Sequence, residues 1–134
     1  MRVLVVSPDV GERSRATSAL PAEVEVVQVT TAPEAHRALE RGDVDVLVID
    51  GDLRPEGGYS VLYELRAAGD LEGRRTPPAI VLMDRRDDRF LAEWARADEA
   101  VLKPSDPFDL AARVMRLGDG AVASQPSGGA SASE

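Results

Sequence analysis

Val44-Asp45-Val46-Leu47-Val48-Ile49-Asp50 is an almost unbroken apolar run that ends in a carboxylate. Behind it comes a loop full of breakers, Gly51-Asp52-Leu53-Arg54-Pro55-Glu56-Gly57-Gly58. The run is short, rich in β-branched residues and bounded by glycine and proline, so it reads as a buried strand. A strand that is apolar on both faces needs cover on both sides, which a parallel sheet flanked by helices provides. In open sheets of that kind, ligands bind beyond the carboxyl ends of central strands. Asp50 stands at that end.

Four other segments have strand character. Val3-Leu4-Val5-Val6 and Ala79-Ile80-Val81-Leu82-Met83 are continuous apolar runs, and Glu99-Ala100-Val101-Leu102 is a short one closed by Lys103-Pro104. Residues 23–29 alternate as Glu-Val-Glu-Val-Val-Gln-Val, the pattern of a half-exposed edge strand.

Helical segments separate them. Ser7 is expected as an N-cap with Pro8 at the first helical position, and Pro21 stops that helix near Leu20. Thr31-Ala32-Pro33-Glu34 has capping-box spacing and opens a short helix that ends near Arg41-Gly42. Residues 59–68 form a third helix, closed by Gly69. The mixed-charge run 84–89 leads into a fourth, with Phe90, Leu91 and Trp94 on one face. Asp106-Pro107 caps a fifth, in which Leu110, Val114 and Leu117 recur at helical spacing before Gly118. Residues 118–134 are small and polar without period and are expected to be a disordered tail behind one domain, 1–117. Strands alternating with helices five times imply a parallel sheet with right-handed crossovers.

Composition narrows the functional classes. The chain has 134 residues, no cysteine and one histidine, His36, which excludes disulfides and thiolate metal sites and disfavours a Ser-His-Asp triad. Its formal net charge is −8, which argues against non-specific binding to nucleic acid or to an anionic membrane. No stretch has the ~18 consecutive apolar residues of a membrane span, and the N-terminus enters a strand without a signal-peptide pattern. A soluble cytoplasmic protein is expected. Nucleotide-binding loops of the P-loop or GxGxxG type are absent after the first and third strands.

The order and spacing of these features resemble the receiver domain of two-component response regulators. The resemblance is carried by Asp50 and its Pro/Gly loop, by Gly58 at the next helix, and by Ala97-Asp98-Glu99-Ala100-Val101-Leu102-Lys103-Pro104 as fifth strand and Lys-Pro end. It covers about residues 2–117. It implies a flavodoxin-like (CheY-like) α/β fold with a five-stranded parallel sheet in the order 2-1-3-4-5 and five helices on its two faces. It also implies that Asp50 is the phosphoacceptor, that Lys103 pairs with the phosphoryl oxygens, and that the bond before Pro104 is cis.

The same resemblance exposes departures. The acidic pair that follows the family's first strand and binds Mg²⁺ is replaced by Ser7-Pro8. Asp9, Asp50 and Asp52 are then the oxygen ligands within reach, and weak Mg²⁺ binding is expected, with no cofactor required. Met83 stands where the family has a threonine or serine, Ala100 replaces its aromatic switch, and Pro55 comes one place late. The expectation is therefore a stand-alone, atypical receiver-like signalling protein acting through protein–protein interaction, without obligatory phosphorylation and without enzymatic activity beyond self-catalysed phosphoryl acceptance. The alternative is a working single-domain receiver phosphorylated on Asp50 by a histidine kinase. Either way the expected partner is a protein, a kinase or a downstream effector, and the chain is a monomer or weak dimer. By family analogy the contact surface includes Phe90 and Trp94 with Arg86 and Arg89.

Overall fold

The computed structural model describes residues 1–124. Five parallel strands alternate with helices: β1 (Arg2–Val6), β2 (Glu25–Val29), β3 (Val46–Asp50), β4 (Ala79–Met83) and β5 (Glu99–Leu102). The helices are α1 (Val10–Thr17), α2 (Ala32–Glu40), α3 (Gly58–Glu72), α4 (Arg89–Trp94, entered through a 3₁₀ turn at Arg86–Asp88) and α5 (Pro107–Ser124). The sheet order is β2-β1-β3-β4-β5, as expected.

The period-2 geometry of a strand sends successive side chains to opposite faces, and the core divides accordingly. Leu4, Val6, Leu47, Ile49, Val81 and Met83 pack under α2 and α3 with Ala35, Leu39, Val61, Leu62 and Ala95. Val3, Val5, Val46, Val48, Ile80 and Leu82 pack under α1 and α5 with Ala16, Leu110 and Val114. The sheet is therefore apolar on both faces at its three inner strands, and the half-exposed β2 lies at an edge.

Several local expectations are corrected. Asp9, not Ser7, caps α1, its Oδ1 accepting from the Gly11 amide at 2.8 Å. The glycines expected to stop α3 and α5 do not do so. Gly69 lies inside α3 because a Cβ there would meet Thr76 Cγ2 at 2.7 Å, and the true left-handed cap is Gly73 (φ 67°). Gly118 lies inside α5, where a Cβ would collide with the Met1 side chain, and the helix runs on to Ser124. The tail expected from 118 thus begins as helix, and residues 125–134 lie outside the described residues. On α4 the inward face is built from Ala92 and Ala95, while Phe90 is 66 % and Trp94 49 % exposed. Among the described residues, no helix is long and apolar enough to cross a membrane.

Candidate functional site

The site forms where β1, β3, β4 and β5 end together. Asp50 is the last residue of β3 and only 1 % exposed. The chain turns so sharply behind it that a Cβ on Gly58 would collide with the Asp50 carbonyl oxygen, so glycine is required at the start of α3. Buried carboxylates need hydrogen-bonded or charged partners, and Asp50 has three. Ser7 Oγ donates to Oδ2 at 2.7 Å, the Asp52 amide donates to Oδ1 at 2.9 Å, and Lys103 Nζ donates to Oδ1 at 2.7 Å.

Lys103 also reaches Asp84 Oδ1 at 2.7 Å. Burial lowers the ammonium's affinity for its proton, but hydrogen bonds and charge from Asp50 and Asp84 together outweigh it, and its pKa is pushed up to about 12. The peptide bond before Pro104 is cis, as the resemblance implies; that before Pro55 is cis as well.

The remaining expected site residues do not gather into a cation cage. Asp9 is exposed and engaged in capping α1. Asp52 is exposed and faces Arg54 at 3.7 Å. Among the described residues, the carboxylate oxygens of Asp9, Asp50 and Asp52 are not a set lying within 4.8 Å of one another. Arg13 Nη1 donates to the Ser7 carbonyl at 2.8 Å, placing a guanidinium beside the end of β1. Mg²⁺ takes near-octahedral oxygen ligands, with a carboxylate or two among them. A hydroxyl, a proline and an arginine at the end of β1 do not fit that ion.

Tyr59, at the start of α3, also belongs to this site, and no pattern in the sequence announces it. The ring lies against Gly51, where an added Cβ would stand 2.7 Å from the phenol oxygen. That hydroxyl is buried and is the described side-chain atom without a hydrogen-bond partner. Burial raises its pKa, the charges of Asp88 and Asp84 add to this, and the value is pushed up to about 12. Met83, at the end of β4, is sealed in the core and offers no donor. A second missed group is Glu12, also buried, which accepts from Ser105 Oγ at 3.2 Å and pairs with Arg15 at 2.6 Å. It ties α1 to the segment behind Lys103.

Away from the site, Trp94 stacks on Tyr63 with ring centroids 4.3 Å apart and planes 4° from parallel. Phe90, Arg86 and Arg89 are exposed near this pair on the chain.

A response regulatory protein of Mycobacterium tuberculosis, itself uncharacterized, is 36 % identical over 124 residues, covering 87 % of this chain and 90 % of the relative. The chain belongs to the response regulator receiver family. The aerobic respiration control protein ArcA of Escherichia coli is 26 % identical over 119 residues, and there the match covers 47 % of the longer relative. No family model matches the chain. Among solved structures, a CheY-like receiver domain from Methanospirillum hungatei superposes with a TM-score of 0.76 at 22 % identity, covering 92 % of this chain and 98 % of that one. The receiver domain of Ssk1 from Saccharomyces cerevisiae, solved with the histidine phosphotransfer protein Ypd1, gives 0.80 at 16 % identity and 89 % coverage of each chain. These likenesses establish the fold.

Proposed function

We propose that this chain is a signalling protein of the receiver family whose phosphorylation switch has degenerated and which acts by protein–protein interaction. The observation that carries this reading is that both carboxylate oxygens of Asp50 are engaged by groups of the same chain, Ser7, the Asp52 amide and Lys103. Phosphoryl transfer rests on positioning and on neutralising charge at the transferred oxygens, largely by a divalent cation. The groups at the end of β1 do not supply a cation site. Met83 and Ala100 remove the hydroxyl and the aromatic rotamer that would carry a phosphoryl signal outward. With a net charge of −8 the partner is a protein rather than nucleic acid. The surface offered is the one around α4, with Phe90 and Trp94 as apolar contacts flanked by Arg86 and Arg89. Exposed tryptophan of this kind is enriched among binding hot spots.

One observation favours the second reading, a working phosphoacceptor served by a histidine kinase. The Tyr59 hydroxyl, buried against Gly51 without a partner and within the electrostatic reach of Lys103 and Asp50, is a donor that an oxyanion on Asp50 would satisfy. Beryllofluoride with Mg²⁺ separates the two, because this phosphoryl mimic needs aspartate and metal together. Unchanged Trp94 fluorescence and backbone amide shifts at millimolar Mg²⁺ are expected. Saturable shifts around Asp50 and Lys103 that vanish in Asp50→Asn would overturn the proposal in favour of the working switch.

A further inference from the structure

We propose that His36, Glu56 and Glu64 form a binding site for a divalent transition metal of the zinc class. The three residues come from α2, from the loop between β3 and α3, and from α3, and their ligand atoms all lie within 4.8 Å of one another. His36 Nε2 is 3.0 Å from Glu56 Oε1 and 3.7 Å from Glu64 Oε1. Atoms bound tetrahedrally to one zinc ion at about 2.0–2.1 Å stand roughly 3.3 Å apart. The two separations bracket that value, and the third pair lies within 4.8 Å, so side-chain adjustment would bring all three onto one ion.

Electrostatics point the same way. Among the described residues, the ion pairs of Glu56 and Glu64 run to His36 and to no lysine or arginine. Burial and the neighbouring Glu56 carboxylate hold the Glu64 carboxyl above its ordinary range, the sign of two like charges held close. A dication relieves that repulsion in a chain that is already strongly acidic. The ligand types select among ions, since Ca²⁺ and Mg²⁺ prefer all-oxygen shells whereas imidazole suits zinc, copper and nickel. The three side chains are 34–58 % exposed, so the remaining coordination position faces water and the site can exchange metal with solvent. Glu56 lies on the loop that leaves Asp50, and occupation would pin that loop to α2 and α3. A metal would thereby order the floor of the receiver site without touching Asp50.

The test is calorimetric titration of the full chain with Zn²⁺, with Co²⁺ absorption and amide shifts as readouts of geometry and place. One equivalent of Zn²⁺ is expected to bind in the micromolar range. His36→Ala or Glu64→Gln weakens it by at least about 10-fold, with unfolding temperatures of the metal-free variants matching the parent. Asp50→Asn leaves Zn²⁺ affinity unchanged, so failure here is distinct from the beryllofluoride result at Asp50. Absence of saturable binding would reduce the cluster to surface ion pairs and overturn the proposal. So would binding that survives His36→Ala, or shifts centred on Asp50 and Asp84.

Discussion

At the amino end of the sheet, Arg66 is 9 % exposed and directs its guanidinium at the Arg96 carbonyl (3.2 Å), Thr76 Oγ1 (2.7 Å), the Pro77 carbonyl (2.6 Å) and Asp98 Oδ2 (2.9 Å). At the carboxyl end, Asp50 is more deeply buried (1 % exposed) and also paired, but its cation is shared with the half-exposed Asp84, and the Tyr59 hydroxyl in the same site has no partner. The first arrangement joins α3 to the starts of β4 and β5, and Asp98 completes it by accepting from the Ala79 amide at 2.7 Å. It is closed, and its role is structural. The second keeps an unused donor at the end of the sheet where ligands bind in this architecture. Buried polar networks stabilise when every member is satisfied and become adjustable where one is not.

If the contrast holds, cutting the closed network costs more than cutting the open one. Arg66→Met takes their common donor from two carbonyls, the Thr76 hydroxyl and Asp98; Asp98 is 42 % exposed and keeps the Ala79 amide, so the cost is that of the lost hydrogen bonds to a charged group, about 2–4 kcal/mol in urea unfolding. Lys103→Met should cost less, about 1–3 kcal/mol, because Asp50 keeps the Ser7 hydroxyl and the Asp52 amide. Equal losses for the two variants would remove the distinction. A larger loss at Lys103 would make the carboxyl end the principal staple of the fold.

These two ends also differ in how far they could be read from the sequence. The placement of Asp50 and Lys103 at one sheet end followed from the receiver resemblance, whose carriers, a carboxylate closing an apolar run and a Lys-Pro after a short strand, are local patterns. The bounds of β4 and β5 were legible too, set by proline or charge on either side. Ser7 was misplaced as a cap, since a serine before a helix looks the same whether it faces the helix amides or a carboxylate 43 residues away. Gly69 and Gly118 misled for a related reason. A missing side chain serves both a helix stop and a close approach, and only the packed neighbour tells them apart. Arg66 was overlooked although a signal existed: it lies four residues after Leu62 and three before Gly69, on the buried face of α3. Its partners come from two other loops, and no local pattern announces them.

Tyr59 provides the finest test of the open end. Its proton is held to about 12 against an ordinary 10.0, so between those values the folded chain keeps a proton that the unfolded chain has lost. The unfolded state then binds fewer protons, and stability falls as pH rises through that window. Lys103, raised from 10.5 to about 12, adds in the same sense: its contribution is complete below 10.5 and lost as pH passes about 12. Tyr59→Phe removes the tyrosine share, so the alkaline decline becomes shallower while the lysine share persists. At pH 7 the same variant is expected to change stability by less than about 1 kcal/mol, and upward, because it deletes a buried hydroxyl that bonds to nothing. Urea unfolding at pH 7 and through the alkaline range measures both effects. A loss of more than about 1 kcal/mol at pH 7 would mean that the hydroxyl already has an acceptor. The carboxyl end would then be as closed as the Arg66 end, and the case for a group on Asp50 that Tyr59 waits to bind would lose its support.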